Sequence, residues 1–130
     1  VLGVSAAETS AEIDSTNWRA AIVTLDILTL TVPDGDDEVD FYVQTKINGV
    51  WTDVANAHFA TAADGTTPKR HIVIGGAALG VAVLTPTDGT IADNTVASVP
   101  LGEAVRIKVA VTGASAPTFN YVGTITFYGN

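Results

Sequence analysis

The chain has 130 residues, 47% hydrophobic and 15% charged, which is enough to bury the core of one domain and excludes an intrinsically disordered chain. Its net charge of −8 argues against nucleic acid and anionic membranes as partners, because phosphate recognition needs a basic patch. The chain has no cysteine and no methionine, which excludes disulfides and thiolate metal sites, and no apolar run reaches the roughly 18 residues of a membrane helix.

The charge is unevenly distributed along the chain. Residues 1–65 contain eleven acids and two bases, whereas residues 66–130 contain three acids and four bases. Two interpretations stay open: acidity keeps an apolar protein in solution, or an acidic surface faces a basic partner.

The first segment, residues 1–19, is small and polar, with Trp18 as its only large anchor. We predict an N-terminal arm that forms at most a short edge strand. Residues 20–32 alternate between apolar and polar side chains, as a β-strand does. The alternation slips by one residue at positions 27–28, which predicts a β-bulge or a strand whose halves face different layers.

The clearest local pattern covers residues 39–59 and predicts two strands joined by a turn at Asn48 and Gly49. A type I′ turn needs positive φ at both positions, which this dipeptide supplies. Trp51 opens the second strand and is expected to bury the most surface. In the first strand one face is apolar. The other face is expected to contact water, and it carries Asp40, Tyr42, Gln44 and Lys46.

The remaining chain predicts further strands at residues 69–74, 103–111 and 119–127, without a helical period. Residues 75–100 are rich in glycine and proline, and a structureless loop of that length is unusual. We expect a hairpin excursion or a functional arm there, with small apolar residues that pack on a neighbouring subunit. The sequence therefore predicts an all-β, antiparallel β-sandwich of jelly-roll or Ig-like type, a single domain over residues 20–130.

Two sets of residues are candidates for binding a metal ion. Acidic side chains crowd the loop at 34–40, and Asp34, Asp36 and Asp37 are the calcium candidates, although their spacing does not fit an EF-hand and a solvated turn is the favoured interpretation. The only histidines are His58 and His71, and a zinc site would need both of them beside a carboxylate such as Asp53. No resident metal or other cofactor is expected.

Catalytic motifs are missing from the sequence: there is no nucleophile elbow, no cysteine nucleophile and no phosphate-binding glycine loop, so an enzyme is not expected. Exposed aromatic and apolar side chains are the other candidates. An aromatic ring with a polar tip on a sheet surface is typical of interfaces and sugar platforms, and ordinary cross-strand packing explains it equally well. The predicted partner-binding residues are Trp18, Tyr42, Val81, Val83, Leu84 and Tyr128.

Several segments together resemble small β-sandwich proteins encoded among the structural genes of tailed bacteriophages. Asn48 stands where that pattern has an aspartate, and residues 75–100 look like an insertion. The segments that carry the resemblance are LDILTLT at 25–31, VDFYVQT at 39–45, NGVWTDVA at 48–55, VRIKV at 105–109 and APTFNY at 116–121.

The resemblance implies a non-enzymatic virion protein of the head decoration or cement type, located on the outer capsid surface. Such a protein would bind the major capsid protein and copies of itself, as a homotrimer or another homo-oligomer, through residues 1–19 and 75–100. Two alternatives stay open. One is a tail- or fibre-associated adhesion module, and the other is a carbohydrate-binding module that uses Tyr42, Trp51 or Tyr128 as a stacking platform, with calcium in the 34–40 loop.

Overall fold

A computed structural model describes residues 8–33, 35–75, 85–113 and 117–129. No helix among these residues is long and apolar enough to cross a bilayer. Apart from a 3-10 turn at Thr61–Ala63, the regular structure of the described chain consists of β-strands: β1 (Glu8–Thr9), β2 (Ile13–Asp14), β3 (Ala20–Thr31), β4 (Glu38–Ile47), β5 (Val50–Ala60), β6 (Lys69–Ile74), β7 (Ala104–Thr112) and β8 (Thr118–Tyr128).

The strands form two antiparallel sheets that pack face to face. The five-stranded sheet has the order β1-β7-β4-β5, with β2 also paired to β7, and the three-stranded sheet has the order β6-β3-β8. The predicted all-β sandwich is therefore confirmed. The described part of the N-terminal segment contributes β1 and β2, two short strands at the edge of the larger sheet.

The central hairpin forms as its turn residues predict. Asn48 has φ of 49° and Gly49 has φ of 78°, the two positive values that a type I′ turn requires. The turn joins β4 to β5 with Ile47 opposite Val50.

The predicted bulge is also present in β3. The register against β8 shifts between Ile27 and Thr29, which leaves Leu28 as the extra residue, 46% exposed. Ile27 and Leu30 both remain buried, because the bulge returns the later apolar positions to the core side.

Aromatic rings fill the centre of the core between the sheets. The ring of Phe41 meets Phe59, Phe119 and Tyr121 edge to face, with centroid distances of 5.8, 5.4 and 5.1 Å. The expectation that Trp51 dominates burial is wrong. Trp51 lies opposite Lys46 on the outer face of the larger sheet and is only half-buried.

Residues 85–99 cover the outer face and the free edge of β5, which corrects a second expectation. The face predicted to be wet is largely buried: Tyr42 is 7% exposed and Gln44 is fully enclosed. Ala97 donates its backbone N–H to Val54 at 2.7 Å, so the segment hydrogen-bonds along the strand edge. Apart from one isolated bridge between Ala55 and Val96, residues 85–99 form no strand, and residues 76–84 of the predicted excursion lie outside the described residues.

Candidate functional site

An apolar cleft lies between β7 of the larger sheet and β8 of the smaller sheet. It is formed by β8 residues 121–125 together with Ile13, Val105 and Ile107 of the larger sheet, and we call it the β8 cleft. Its volume is about 380 Å³. The side chain of Ile13, which lies opposite the inward-facing Val105, is 45% exposed at the cleft.

The cleft exists because the larger sheet does not cover the whole inner face of β8. Phe119 and Tyr121 are buried, but Ile125 and Phe127, farther along the same face, are only half-buried. Between them, Gly123 leaves room for Ile107, whose Cδ1 would lie 2.5 Å from a Cβ at that position. A residue without a side chain thus brings the end of Ile107 against the backbone of β8.

The backbone edge of β8 is available beside this cleft. β8 pairs with β3 on one side, and within the described residues no strand pairs with its other side. The strand reads TFNYVGTITFY, with no charged residue and no proline. Natural proteins usually protect edge strands with lysine, proline or bulges, so an uncharged edge of eleven residues is suited to a partner strand.

Two of the predicted partner-binding residues lie at one end of this edge. Trp18 stacks on Phe127 with a centroid distance of 5.5 Å, and the backbone N–H of Arg19 donates to the carbonyl of Tyr128 at 3.2 Å. Trp18 and Tyr128 are 38% and 49% exposed. Both are therefore accessible near the C-terminal end of β8.

The other predicted contact residues do not join them. The expectation that Tyr42 is exposed is wrong, because residues 85–99 cover it. Burial foremost, and then the charges of nearby aspartates, raise the pKa of Tyr42 to about 12. Val81, Val83 and Leu84 lie outside the described residues.

The covered outer face of the larger sheet contains a network of polar side chains centred on Asp53. Its carboxylate, 2% exposed, accepts a hydrogen bond from the side-chain amide of Gln44 at 2.8 Å. Burial alone would raise the pKa of Asp53, but its hydrogen bonds outweigh this effect and lower it. The donors from the covering segment are the Thr87 hydroxyl and the backbone N–H groups of Gly89, Thr90 and Ile91.

Arg106 connects this network to Trp51. Its Nε donates to Gln44 Oε1 at 2.7 Å, and its guanidinium lies 4.0 Å from the centre of the Trp51 ring. Asp88 of the covering segment pairs with Lys108 at 2.8 Å, and this hydrogen bond is the main reason that the pKa of Asp88 is lowered. One face of Trp51 is thus occupied by Arg106.

A second cluster on the same face surrounds His58. Its Nδ1 lies 2.7 Å from Asp40 Oδ1 and 3.5 Å from Asp93 Oδ1, and Glu38 is close by. Burial alone would lower the pKa of His58, but the hydrogen bond with Asp40 and the three carboxylate charges raise it. Asn56 donates to Asp40 at 3.0 Å, whereas its own Oδ1 is buried and has no hydrogen-bond partner.

The residues considered for zinc do not come together. His71 lies on β6 in the smaller sheet, where its Nδ1 is 3.0 Å from the Thr24 hydroxyl, whereas His58 lies on β5 in the larger sheet. Asp53 binds the covering segment instead. A zinc site built from these three side chains is therefore excluded.

The two described calcium candidates, Asp36 and Asp37, have different surroundings and do not form a common site. Asp37 is fully buried, and its Oδ1 occupies the space that a Cβ on Gly113 would take. Asp36 is exposed, and Asp34 lies outside the described residues. In the described part of the chain, the one group of three side chains able to hold a metal ion is Glu38, Asp40 and His58.

Neither the β8 cleft nor the role of Asp53 was predicted from the sequence. A signal for the cleft was present, since Gly123 interrupts the inward-facing aromatic residues of β8. No local pattern indicated that Asp53 binds residues more than thirty positions away.

Comparisons with known proteins add no identification: no protein-family model, no curated protein and no solved structure matches this chain.

Proposed function

We propose that this chain is a non-enzymatic structural protein of tailed-phage virions, which decorates the outer capsid surface and stabilises the shell. The observation that carries the proposal is the β8 cleft beside an uncharged, unpaired strand edge. The phage assignment itself rests on the sequence resemblance, and the geometry supports the broader role of a binding module.

The proposed mechanism is strand addition. An extended segment of the major capsid protein pairs with the free edge of β8, and its alternate side chains enter the cleft beside Ile13 and Ile107. Main-chain hydrogen bonds supply affinity, and burial of apolar side chains supplies selectivity. A protein that binds the assembled shell and not its free subunits stabilises the assembled state by mass action.

Association of identical copies, as a homotrimer or another homo-oligomer, is part of the same proposal. Trp18 and Tyr128 supply further exposed aromatic surface near the end of β8. Aromatic side chains are enriched at protein interfaces, where they bury a large area.

A carbohydrate-binding role receives less support from the same residues. Tyr42 is buried, and Arg106 occupies one face of Trp51, so neither offers a broad free ring for stacking on a sugar. Of the three proposed platform residues, Tyr128 alone is well exposed. A glycan array is therefore expected to give no signal.

Co-sedimentation with undecorated capsids tests the proposal. We expect the native chain to pellet with capsids and Ile13→Lys to bind at least ten-fold more weakly, because Ile13 lies opposite the inward-facing Val105 and a charge there would enter the cleft. Val73→Lys is the matched control, since Val73 is 55% exposed on β6, at the edge of the smaller sheet opposite to β8.

The outcomes separate the parts of the proposal. Loss of binding in both variants, or in neither, would exclude the β8 cleft as the contact. A native chain that pellets with purified tails and not with capsids would favour the tail or fibre role. Analytical ultracentrifugation of the free chain tests self-association, and a monomer at all concentrations would contradict the homo-oligomer.

A further inference from the structure

We propose that Glu38, Asp40 and His58 form a binding site for one divalent transition-metal ion, with Zn²⁺ as the best-fitting probe. One ligand atom from each of the three side chains lies within 4.8 Å of the other two. This proposal is independent of capsid binding, and the site lies in a different part of the molecule from the β8 cleft.

The backbone positions these side chains. Asp40 of β4 and His58 of β5 are direct cross-strand partners, so their side chains project side by side from the outer face. Glu38 lies two residues before Asp40 in the same strand and projects from the same face. The arrangement follows from strand register and does not depend on a long flexible loop.

The local charge favours a cation. Three carboxylates, those of Glu38, Asp40 and Asp93, surround one imidazole, and among the described residues the ion pairs of Asp40 and Asp93 are made with His58 alone. The side chain of Asp40 is only 10% exposed, so water screens its charge poorly. A divalent ion would neutralise the excess negative charge without requiring another basic residue.

Asn56 provides a second, independent observation. Its side chain lies against the cluster, with Nδ2 3.0 Å from Asp40 Oδ1 and 3.5 Å from Asp93 Oδ1, while its Oδ1 is buried without a donor. An amide has two nearly isosteric orientations. Nδ2 also lies 3.5 Å from the carbonyl oxygen of Ile91. Rotation by 180° would therefore turn the orphaned oxygen toward two carboxylates and a carbonyl, which is favourable only when a cation lies among these oxygens.

The donor set indicates the class of metal. Imidazole nitrogen combined with carboxylate oxygen suits Zn²⁺, Co²⁺ or Mn²⁺, whereas Ca²⁺ takes six to eight oxygen ligands. The imidazole of His58 is 13% exposed and the carboxylate of Asp93 is 63% exposed. An ion therefore reaches the site from the side of Asp93.

Calorimetric titration of the chelator-treated chain, prepared without a histidine tag, tests the site with ZnCl₂ and CaCl₂. We expect one Zn²⁺ per chain, a higher melting temperature with Zn²⁺, and at least ten-fold weaker binding in His58→Gln and in Glu38→Gln. His71→Gln is the matched control, because it removes the only other histidine from an exposed position in the opposite sheet.

Circular dichroism of each variant establishes that it is folded, and Glu38→Gln preserves side-chain size at a half-buried position. Three results would each overturn the proposal: no Zn²⁺ binding by the native chain, equal weakening in His71→Gln and His58→Gln, or Ca²⁺ binding as tight as that of Zn²⁺. A Co²⁺ absorption band that is present in native protein and His71→Gln but lost in His58→Gln would support it.

Discussion

The carboxylate of Asp53 accepts a hydrogen bond from the backbone N–H of Gly89 at 2.9 Å, and this contact holds a segment without regular structure against the larger sheet. The same carboxylate accepts the N–H groups of Thr90 and Ile91 at 2.9 and 3.1 Å. A single buried side chain thus satisfies several backbone donors that would otherwise be enclosed without partners.

Asp53→Asn is expected to lower the free energy of unfolding by about 2–3 kcal/mol, since an amide cannot accept all these bonds and its N–H₂ would face other donors. Urea unfolding followed by circular dichroism measures the change. Asp26→Asn is the control, because its pair with Lys69 at 3.6 Å is solvent-exposed and contributes less than about 1 kcal/mol. Equal losses in the two variants would contradict the role assigned to Asp53.

Acid is expected to destabilise the protein through the same side chain. The pKa of Asp53 is lowered in the folded chain from its ordinary value of 3.8. The resulting stabilisation is complete above that value and is lost as the pH falls toward the lower, folded pKa. Unfolding free energies measured from pH 6 to pH 3 should decline more steeply for native protein than for Asp53→Asn, and parallel curves would refute this prediction.

The aromatic core gives a prediction about packing. Phe41 is fully buried and touches three other rings, so Phe41→Ala should cost about 3–5 kcal/mol, with a smaller loss for Phe41→Leu. Val50→Ala is the comparison, since Val50 is 49% exposed beside the hairpin turn. Thermal and urea unfolding of the three variants measure these differences, and a loss below 1 kcal/mol in Phe41→Ala would show that the core is packed differently.

Stacking of Arg106 on Trp51 gives a spectroscopic prediction. In a Trp18→Phe background, where Trp51 is the only tryptophan, Arg106→Lys should shift Trp51 emission to longer wavelength as water reaches the ring. The stability loss should be about 1 kcal/mol, because a lysine can neither stack its charge in the same way nor reproduce the bond to Gln44. Arg70→Lys, which lies over Phe59 instead, should leave the emission unchanged.

Local patterns predicted the parts of the fold that depend on neighbouring residues. The type I′ turn at Asn48 and Gly49 follows from which residues tolerate positive φ, and the bulge at Leu28 follows from a one-residue slip in alternation. These features need no information about distant segments.

The incorrect expectations concern side chains whose surroundings come from elsewhere in the chain. Tyr42 was assigned to a wet face because it alternates with apolar residues, yet residues 85–99 return to bury it. Trp51 was assigned to the core because of its size, yet the register of β5 places it on the outer face beside Arg106. Of the candidate site, the sequence anticipated Trp18 and Tyr128 as accessible rings, but not the cleft near them.

The amino-acid sequence by itself determined that this chain is all-β and where its central hairpin turn and its bulge lie, because alternation and turn chemistry act over a few residues. Only the tertiary structure decided which of the two faces of each strand a distant segment covers. That choice brought Asp53 to the loop at 87–91, grouped His58 with Glu38 and Asp40, and left β8 beside an open cleft. These relationships depend on how the two sheets pack on each other and on how residues 85–99 pack against the larger sheet, which no local stretch of residues encodes.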